Sequence, residues 1–210
     1  MRVTNETKAG IRQRILESAR KLFVVNGFEE TLTRDITVDA GIATGTLFNH
    51  FPTKEAVAQE LISDALEQAR EEFRRAPSEL PLEESLFLYV VLGLRRLKPL
   101  RRMIPAVLET AFSPLREGDG VSRSEDIRVR HLQGVRELIV GKAPNAGEPS
   151  VITLHLYWSL YLGVLAFWSG DESPNQEDTL ALLDQATRLF ATVLEPSNKP
   201  KETSDDSERS

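Results

Sequence analysis

Thr33-Arg34-Asp35-Ile36-Thr37-Val38-Asp39-Ala40-Gly41-Ile42-Ala43-Thr44-Gly45-Thr46-Leu47-Phe48-Asn49-His50-Phe51-Pro52-Thr53-Lys54-Glu55 is the stretch on which the fold turns. Thr33 suits the cap of a short helix through Ala40. Gly41 breaks that helix, and another short one follows from about Ala43 to Phe51. Pro52 ends it, and Thr53-Lys54-Glu55 caps and opens the next. Ile36, Ala40, Ile42, Leu47 and Phe51 give the two short helices a shared apolar side. This layout is that of a helix-turn-helix, although a plain αα-corner in a bundle has the same outline. The tip Thr44-Gly45-Thr46 is slim and uncharged, as a helix entering a major groove requires. Gly45 permits close backbone approach, and a threonine offers a hydroxyl to an acceptor or a methyl to thymine.

Upstream, residues 11–25 place Ile11, Ile15, Ala19, Leu22 and Phe23 on one helical face, with Arg12, Arg14, Arg20 and Lys21 mostly elsewhere. Asn26-Gly27 stops this helix. Taken with Ile15-Leu16-Glu17-Ser18-Ala19-Arg20-Lys21-Leu22-Phe23 and Asn26-Gly27-Phe28, the segment 33–55 closely resembles the signature of the tetracycline-repressor (TetR) family, over roughly residues 8–66. The resemblance implies an all-α chain of about nine helices. Residues 8–66 would form a three-helix helix-turn-helix DNA-binding headpiece, and residues 67–194 a ligand-binding and dimerisation domain.

At matching positions the resemblance implies that Thr33 and Arg34 contact phosphate and that Thr44, Gly45 and Thr46 approach base edges. Phe48, Asn49 and His50 take backbone- and base-contact positions, and Lys54 holds a phosphate. Helix N-termini favour phosphate because their free N–H groups and dipole attract anions. Two positions depart from the family pattern. Ala43 stands where a capping serine is common, which removes a cap of about 1 kcal/mol unless Thr44 substitutes. Phe48 stands where a tyrosine is common, so a phenolic contact to phosphate is missing. Asn49 can pair with adenine or meet a phosphate or water. His50 reads either as a pH-sensitive phosphate donor or as a neutral hydrogen-bonding residue beside Phe51.

The charge distribution is compatible with this reading but does not force it. The 210-residue chain has a net charge of −6. Residues 1–54 hold eight basic against six acidic side chains, leaving the rest strongly acidic. With no cysteine, disulfides, thiolate metal sites and cysteine nucleophiles are excluded. His50, His131 and His155 lack metal-ligand spacing, and no Walker, Gly-x-Gly-x-x-Gly or Gly-x-Ser-x-Gly motif occurs, so neither a metal, a cofactor nor an enzymatic activity is expected. The first residues carry no signal-peptide core, which makes a cytoplasmic location the expectation.

In the remaining chain, helical periodicity predicts helices at 54–75, 82–98, 100–112 (kinked at Pro105), 122–141 after a Gly118-Asp119-Gly120 turn, 150–169 and 176–194. The polar stretch 195–210 reads as a disordered tail. Between Glu148 and Asp171 no Asp, Glu, Lys or Arg occurs. By length that segment passes for a membrane span. Its Thr153, His155, Ser159 and Ser169 favour a helix buried on all sides instead, one face within the subunit and another against a second copy. Ser159 and Gly163 would allow close helix approach. The next helix adds Leu180, Leu183, Ala186, Thr187, Phe190 and Val193. In the family it resembles, the last two long helices form the homodimer interface, which suits recognition of palindromic operator DNA.

Candidate walls for a small, largely apolar effector are Phe87, Tyr89, Met103, Phe112, His155, Trp158, Tyr161 and Trp168, although aromatics at helical spacing equally describe a core. Arg95, Arg96, Lys98, Arg101 and Arg102 read as a solvated face at a helix junction rather than an anion site. A helical ligand-binding protein whose headpiece no longer binds DNA is the alternative.

Overall fold

The computed structural model describes residues 5–112 and 119–194, with side chains described for residues 7–108 and 125–194. Its helices are α1 (Asn5–Val25), α2 (Thr33–Asp39), α3 (Thr44–His50), α4 (Lys54–Phe73), α5 (Leu82–Leu97), α6 (Ile104–Phe112), α7 (Asp119–Lys142), α8 (Val151–Gly170) and α9 (Glu177–Leu194). No strand occurs among the described residues, so the chain is all-α as its periodicity predicts. The expected tail lies outside the described residues.

α4 is the axis. Its first turn is fixed by Thr53, whose hydroxyl oxygen accepts the Ala56 N–H at 3.1 Å, a cap worth about 1 kcal/mol. Ala56, Val57, Ala58, Leu61, Ile62, Ala65, Leu66 and Ala69 are buried along it. That stripe is wide enough to pack on α1 near its start and on α5, α6 and α7 further on. One continuous apolar core therefore runs from Ile15 and Phe51 through Leu61 to Leu94, Ile139 and Phe190. α5 rests on α9, and α8 on α6 and α9.

Three boundaries differ from the sequence reading. Thr33 is the first helical residue of α2 and not its cap; Leu32 holds the cap position, and the Asp35 carboxylate accepts the Leu32 N–H at 2.9 Å. Asp119 and Gly120 are the first residues of α7 rather than a turn, and Gly118 lies outside the described residues. Pro105 does not kink a helix. The chain passes from α5 through a 3-10 segment, Lys98–Met103, into α6, of which Pro105 is the second residue. Its missing N–H falls where no intrahelical partner exists.

In the basic cluster at this junction Arg95, Arg96, Lys98 and Arg102 are exposed, as a solvated face requires, and Arg101 is half-buried. Arg95 and Arg96 both pair with Glu72 of α4, the latter at 2.8 Å. Arg101 donates from Nε to the Trp168 carbonyl at 2.8 Å and from its other arm to the Asp171 carbonyl, capping the end of α8. Asp171 then opens α9. Its carboxylate accepts N–H bonds from Ser173 (2.8 Å) and Thr179 (3.0 Å) and the Thr179 hydroxyl (2.5 Å). Those bonds hold its carboxyl well below the usual range.

A titratable group, His131 of α7, lies deep in the core, 4% exposed. It stacks on Tyr161 (4.1 Å between ring centres), and its Nε2 meets the Tyr157 hydroxyl at 3.1 Å. Burial, aided by the Arg70 charge, pushes its imidazole down to about 3 from 6.5. The folded protein thus keeps His131 neutral while an unfolded chain takes up a proton below pH 6.5. Stability from this group is complete above pH 6.5 and falls by about 1.4 kcal/mol for each unit below it, toward the folded value. Denaturant titrations at pH 6.5 and 5 are expected to show His131→Gln losing about 2 kcal/mol less than the parent over that interval. Equal losses would mean that His131 is protonated in the folded state.

Candidate functional site

The headpiece is built by α1 lying across α2 and α4. Ile15, Ala19 and Phe23 of α1 meet Ile36, Leu47, Phe51, Val57 and Leu61, all within 2% of full burial. Phe28 closes one side, edge-on to Phe23 at 5.2 Å. Two turns need left-handed backbone, and glycine occupies both: Gly27 (φ 90°) after α1 and Gly41 (φ 63°) between α2 and α3. The buried Thr31 hydroxyl donates to the Gly27 carbonyl at 2.7 Å. Lys21 reaches Asp39 at 2.5 Å, tying α1 to the end of α2. Arg12 pairs with Glu60 and lies 5.0 Å over the Phe51 ring, tying α1 to α3 and α4.

α3 is held by a single fully buried residue, Leu47. The opposite side projects Thr44, Gly45, Phe48 and Asn49 into solvent, and Thr46 and His50 are half-buried at its edges. Residues 44, 45, 48 and 49 share a face because they lie three to four apart. Phe48 is 47% exposed, a large apolar ring that the fold leaves uncovered. No side chain caps α3 at Ala43, as the substitution of the common serine implies. At the start of α2, Thr33 is half-buried and Arg34 exposed. His50 is pushed below its ordinary value, first by desolvation and then by the Lys8 and Arg12 charges.

Lys54 has partners within the protein as well. Its ammonium donates to the Phe28 carbonyl at 2.7 Å and the Glu29 carbonyl at 3.3 Å, and it sits 4.3 Å from the centre of the Phe28 ring. Two of its three N–H bonds go to pinning the α1–α2 loop onto α4.

The expected effector walls separate into groups. Trp158 and Tyr161 of α8 line an apolar cavity of about 60 Å³ with Ile62 and Leu66 of α4, Leu97 of α5, Ile104, Val107 and Leu108 of α6, Ile127 of α7, and Leu162 and Leu165. That volume is well below the roughly 300 Å³ of a typical small-molecule pocket. Tyr89 adjoins the cavity through His131 and Tyr161. Met103 and Trp168 are buried core, 1% exposed, with Arg101 lying over Trp168. Phe87 faces a surface groove of charged residues between α5 and α9. His155 is exposed and meets Arg128 at 3.2 Å. Phe112 ends α6 outside the described side chains. His131, stacked among Tyr89, Tyr157 and Tyr161, is the residue that the sequence reading passed over.

Comparison with known proteins converges on the headpiece. The model of the bacterial regulatory proteins of the tetR family matches residues 15–61. The HTH-type transcriptional regulator UidR of Escherichia coli is 41% identical over 63 residues, 30% of this chain and 32% of that protein. The HTH-type transcriptional repressor KstR2 of Rhodococcus jostii is 36% identical over 67 residues, 32% of this chain and 33% of that protein. The match thus spans about a third of the length of these curated relatives. The fold extends further. The crystal structure of Thermus thermophilus FadR, a TetR family transcriptional repressor in complex with lauroyl-CoA, superposes with a TM-score of 0.70 at 21% identity, covering 90% of this chain and 97% of that one.

The placement of Lys54 makes a stability prediction. Lys54→Met keeps the stem over Phe28 but removes both bonds to carbonyls. It is expected to lower unfolding stability by about 1 kcal/mol in denaturant titration. Unchanged stability would assign Lys54 to a phosphate alone.

Proposed function

The N-terminal domain of this chain belongs to the TetR family, and on that premise we propose that the protein is a dimeric, one-component transcriptional regulator. In this reading it is a repressor that binds a palindromic operator and is released by a small, largely apolar ligand. Residues 8–66 read DNA, and residues 67–194 carry the effector cavity and the partner surface. The observation that carries the proposal is the α3 face, where Thr44, Gly45, Phe48 and Asn49 stand exposed on a helix fixed from behind by Leu47. A short helix with an uncharged tip and a rigid anchor fits a major groove.

In this reading Thr44, Gly45 and Thr46 approach base edges. Asn49 and His50 lie one turn further along, Phe48 packs against the sugar-phosphate backbone, and Thr33 and Arg34 contact phosphate. Lys54 contributes by holding the loop beside them and keeps one N–H for a phosphate. A second reading, a ligand-binding protein whose headpiece is DNA-incompetent, draws on the uncapped start of α3 and the missing hydroxyl at Phe48. Fluorescence anisotropy against DNA from upstream of its own gene separates the two. The regulator is expected to bind that DNA selectively over unrelated duplex. Arg34→Gln should reduce the slope of log affinity against log salt by about one, while Phe48→Tyr tightens binding a few-fold with the slope unchanged. Equal, weak binding to both duplexes at low salt would favour the second reading.

The partner surface is the outer face of α8 and α9. α8 is long and apolar enough to cross a membrane by length and composition, yet only 33% of its most apolar stretch is buried within the protomer. Val151, Ile152, Leu156 and Phe167 remain exposed there, as do Leu180, Leu189 and Val193 of α9. A contiguous apolar face of this kind marks an interface. Its polar members, among them His155 paired with Arg128 and Ser159 bonded to the His155 carbonyl at 3.0 Å, suit a protein partner better than hydrocarbon. A second copy placing two α3 helices on one side of DNA meets both needs.

Release follows from linkage. Ile62 and Leu66 of the cavity wall belong to the helix whose Val57 and Leu61 anchor the headpiece. A ligand that prefers a displaced α4 changes the spacing of the two α3 helices, at about 1.4 kcal/mol for each tenfold preference.

Gly163 tests the dimer. It is exposed, and a side chain built there meets nothing within 4 Å in the protomer. Gly163→Phe is therefore expected to leave the protomer folded, since glycine is the poorer helix former. Sedimentation should show the dimer dissociating at least tenfold more readily. An unchanged dimer would place the interface elsewhere.

A further inference from the structure

A second cavity, of about 290 Å³, opens where the end of α4, the start of α5 and the end of α7 meet. Its rim is cationic: Arg70 and Arg74 come from α4 and Lys142 from α7, against the Glu137 carboxylate. Glu67 partly offsets the pair on α4, lying 2.6 Å from Arg70 and 3.8 Å from Arg74. Lys142 is turned onto the Ser78 carbonyl of the α4–α5 connection. The floor is apolar and aromatic, formed by Phe73, Leu138 and Tyr89.

This mouth and the apolar cavity each share walls with a third, smaller space. That space, of about 10 Å³, is lined by Arg70 and Tyr89, which belong to the mouth, and by Leu66 and Tyr161, which belong to the apolar cavity. His131 forms its third side. Tyr89 stands in the passage, edge-on to Phe73 at 5.3 Å, with its hydroxyl directed at the His131 carbonyl at 3.4 Å. Gly134 makes room for it, since a methyl group there would fall 2.4 Å from the phenol oxygen. Along α4 the sequence of linings is Arg70, Leu66, Ile62, one residue per turn on one face. From first to last this spans about 12 Å at 1.5 Å per residue, the reach of an extended chain of roughly ten carbons.

We infer that the effector is an anionic amphiphile, a medium-chain carboxylate. Its head group is held by Arg70 at the mouth, and its apolar tail passes Tyr89 and His131 into the cavity beside Trp158. The inference rests on the reading of residues 67–194 as an effector domain and narrows the ligand within it. Charge and apolarity lie at opposite ends of one passage, which a uniformly apolar ligand does not use. A planar guanidinium suits a carboxylate in particular, through paired N–H donors. Ligand seated this way also touches α4 at three successive turns, so the helix that carries the headpiece is the one most directly loaded.

The test is calorimetric titration of the full chain with decanoate, decanamide and butyrate. Decanoate is expected to bind at least about tenfold more tightly than its neutral isostere decanamide, as a charge-assisted pair provides. Butyrate, which cannot reach the apolar cavity, should not bind measurably. Arg70→Gln should abolish the preference for decanoate while leaving decanamide within about twofold. Because Arg70 is partly buried, the exposed Arg74→Gln serves as a second variant and is expected to reduce the same preference by a smaller factor with the fold intact. Equal binding of decanoate and decanamide overturns the inference while leaving an apolar effector in place. Binding of neither also overturns it, and a failed screen of neutral apolar compounds would then remove the effector reading itself.

Discussion

One helix, α4, carries a single apolar core from the N-terminal helices into the rest of the molecule, and everything else is arranged around that constraint. α4 buries Val57 and Leu61 among the headpiece side chains and Ile62, Leu66 and Ala69 among those of the body. The end of the segment that matches the tetR-family model, residue 61, falls inside it. A 20-residue α-helix transmits displacement along its length because every turn is hydrogen-bonded to the next. A flexible tether in its place would lose that motion as entropy. The Thr53 cap at one end and the Glu72 pairs with Arg95 and Arg96 at the other keep the helix from fraying where it meets its neighbours.

The headpiece shows how little a short helix needs to be rigid. α3 has seven residues and no side-chain cap, too few to be stable alone. Leu47 and the following Phe51 supply its order by burial, and Gly41 sets the angle at which it leaves α2. Since all the anchoring comes from one side, the other is free to carry residues chosen for contact. Lys54 illustrates the same economy. The resemblance implies a phosphate contact for it, and within the protein it already serves two carbonyls of the loop it supports.

Much of this was legible in the sequence. Glycine and proline punctuation marked α1 to α4 because those turns have a local cause, positive φ at Gly27 and Gly41 and the break at Pro52. What escaped reading depended on three dimensions. Pro105 suggested a kink because the 3-10 segment before it leaves no mark in apolar spacing. Arg101 counted as one more surface cation, since its carbonyl partners lie 67 and 70 residues away. His131 drew notice only for lacking metal-ligand spacing. A signal was present, however: Ile127, His131, Val135 and Ile139 recur every four residues, which places the histidine on an apolar stripe. The effector walls were the least legible part. Aromatic content does not tell the wall of a cavity from the core behind it, and Met103 and Trp168 proved to be the latter.

The size of the apolar cavity bears on how a ligand could act at all. At about 60 Å³ it cannot admit a chain of several carbons without moving a wall. Packed interiors do not stretch continuously; they shift between discrete arrangements. The walls are α4, α5, α6, α7 and α8. In the proposed dimer α8 is held on its outer face by the second copy, and Arg101 clamps its end from the 3-10 segment. α5 is pressed on α9 from behind. The remaining walls include α4, whose far end carries the headpiece rather than a fixed support. Expansion of the cavity therefore falls in part on the helix that positions α3, and the same closeness of packing that keeps the cavity small is what makes its filling felt at the exposed α3 face.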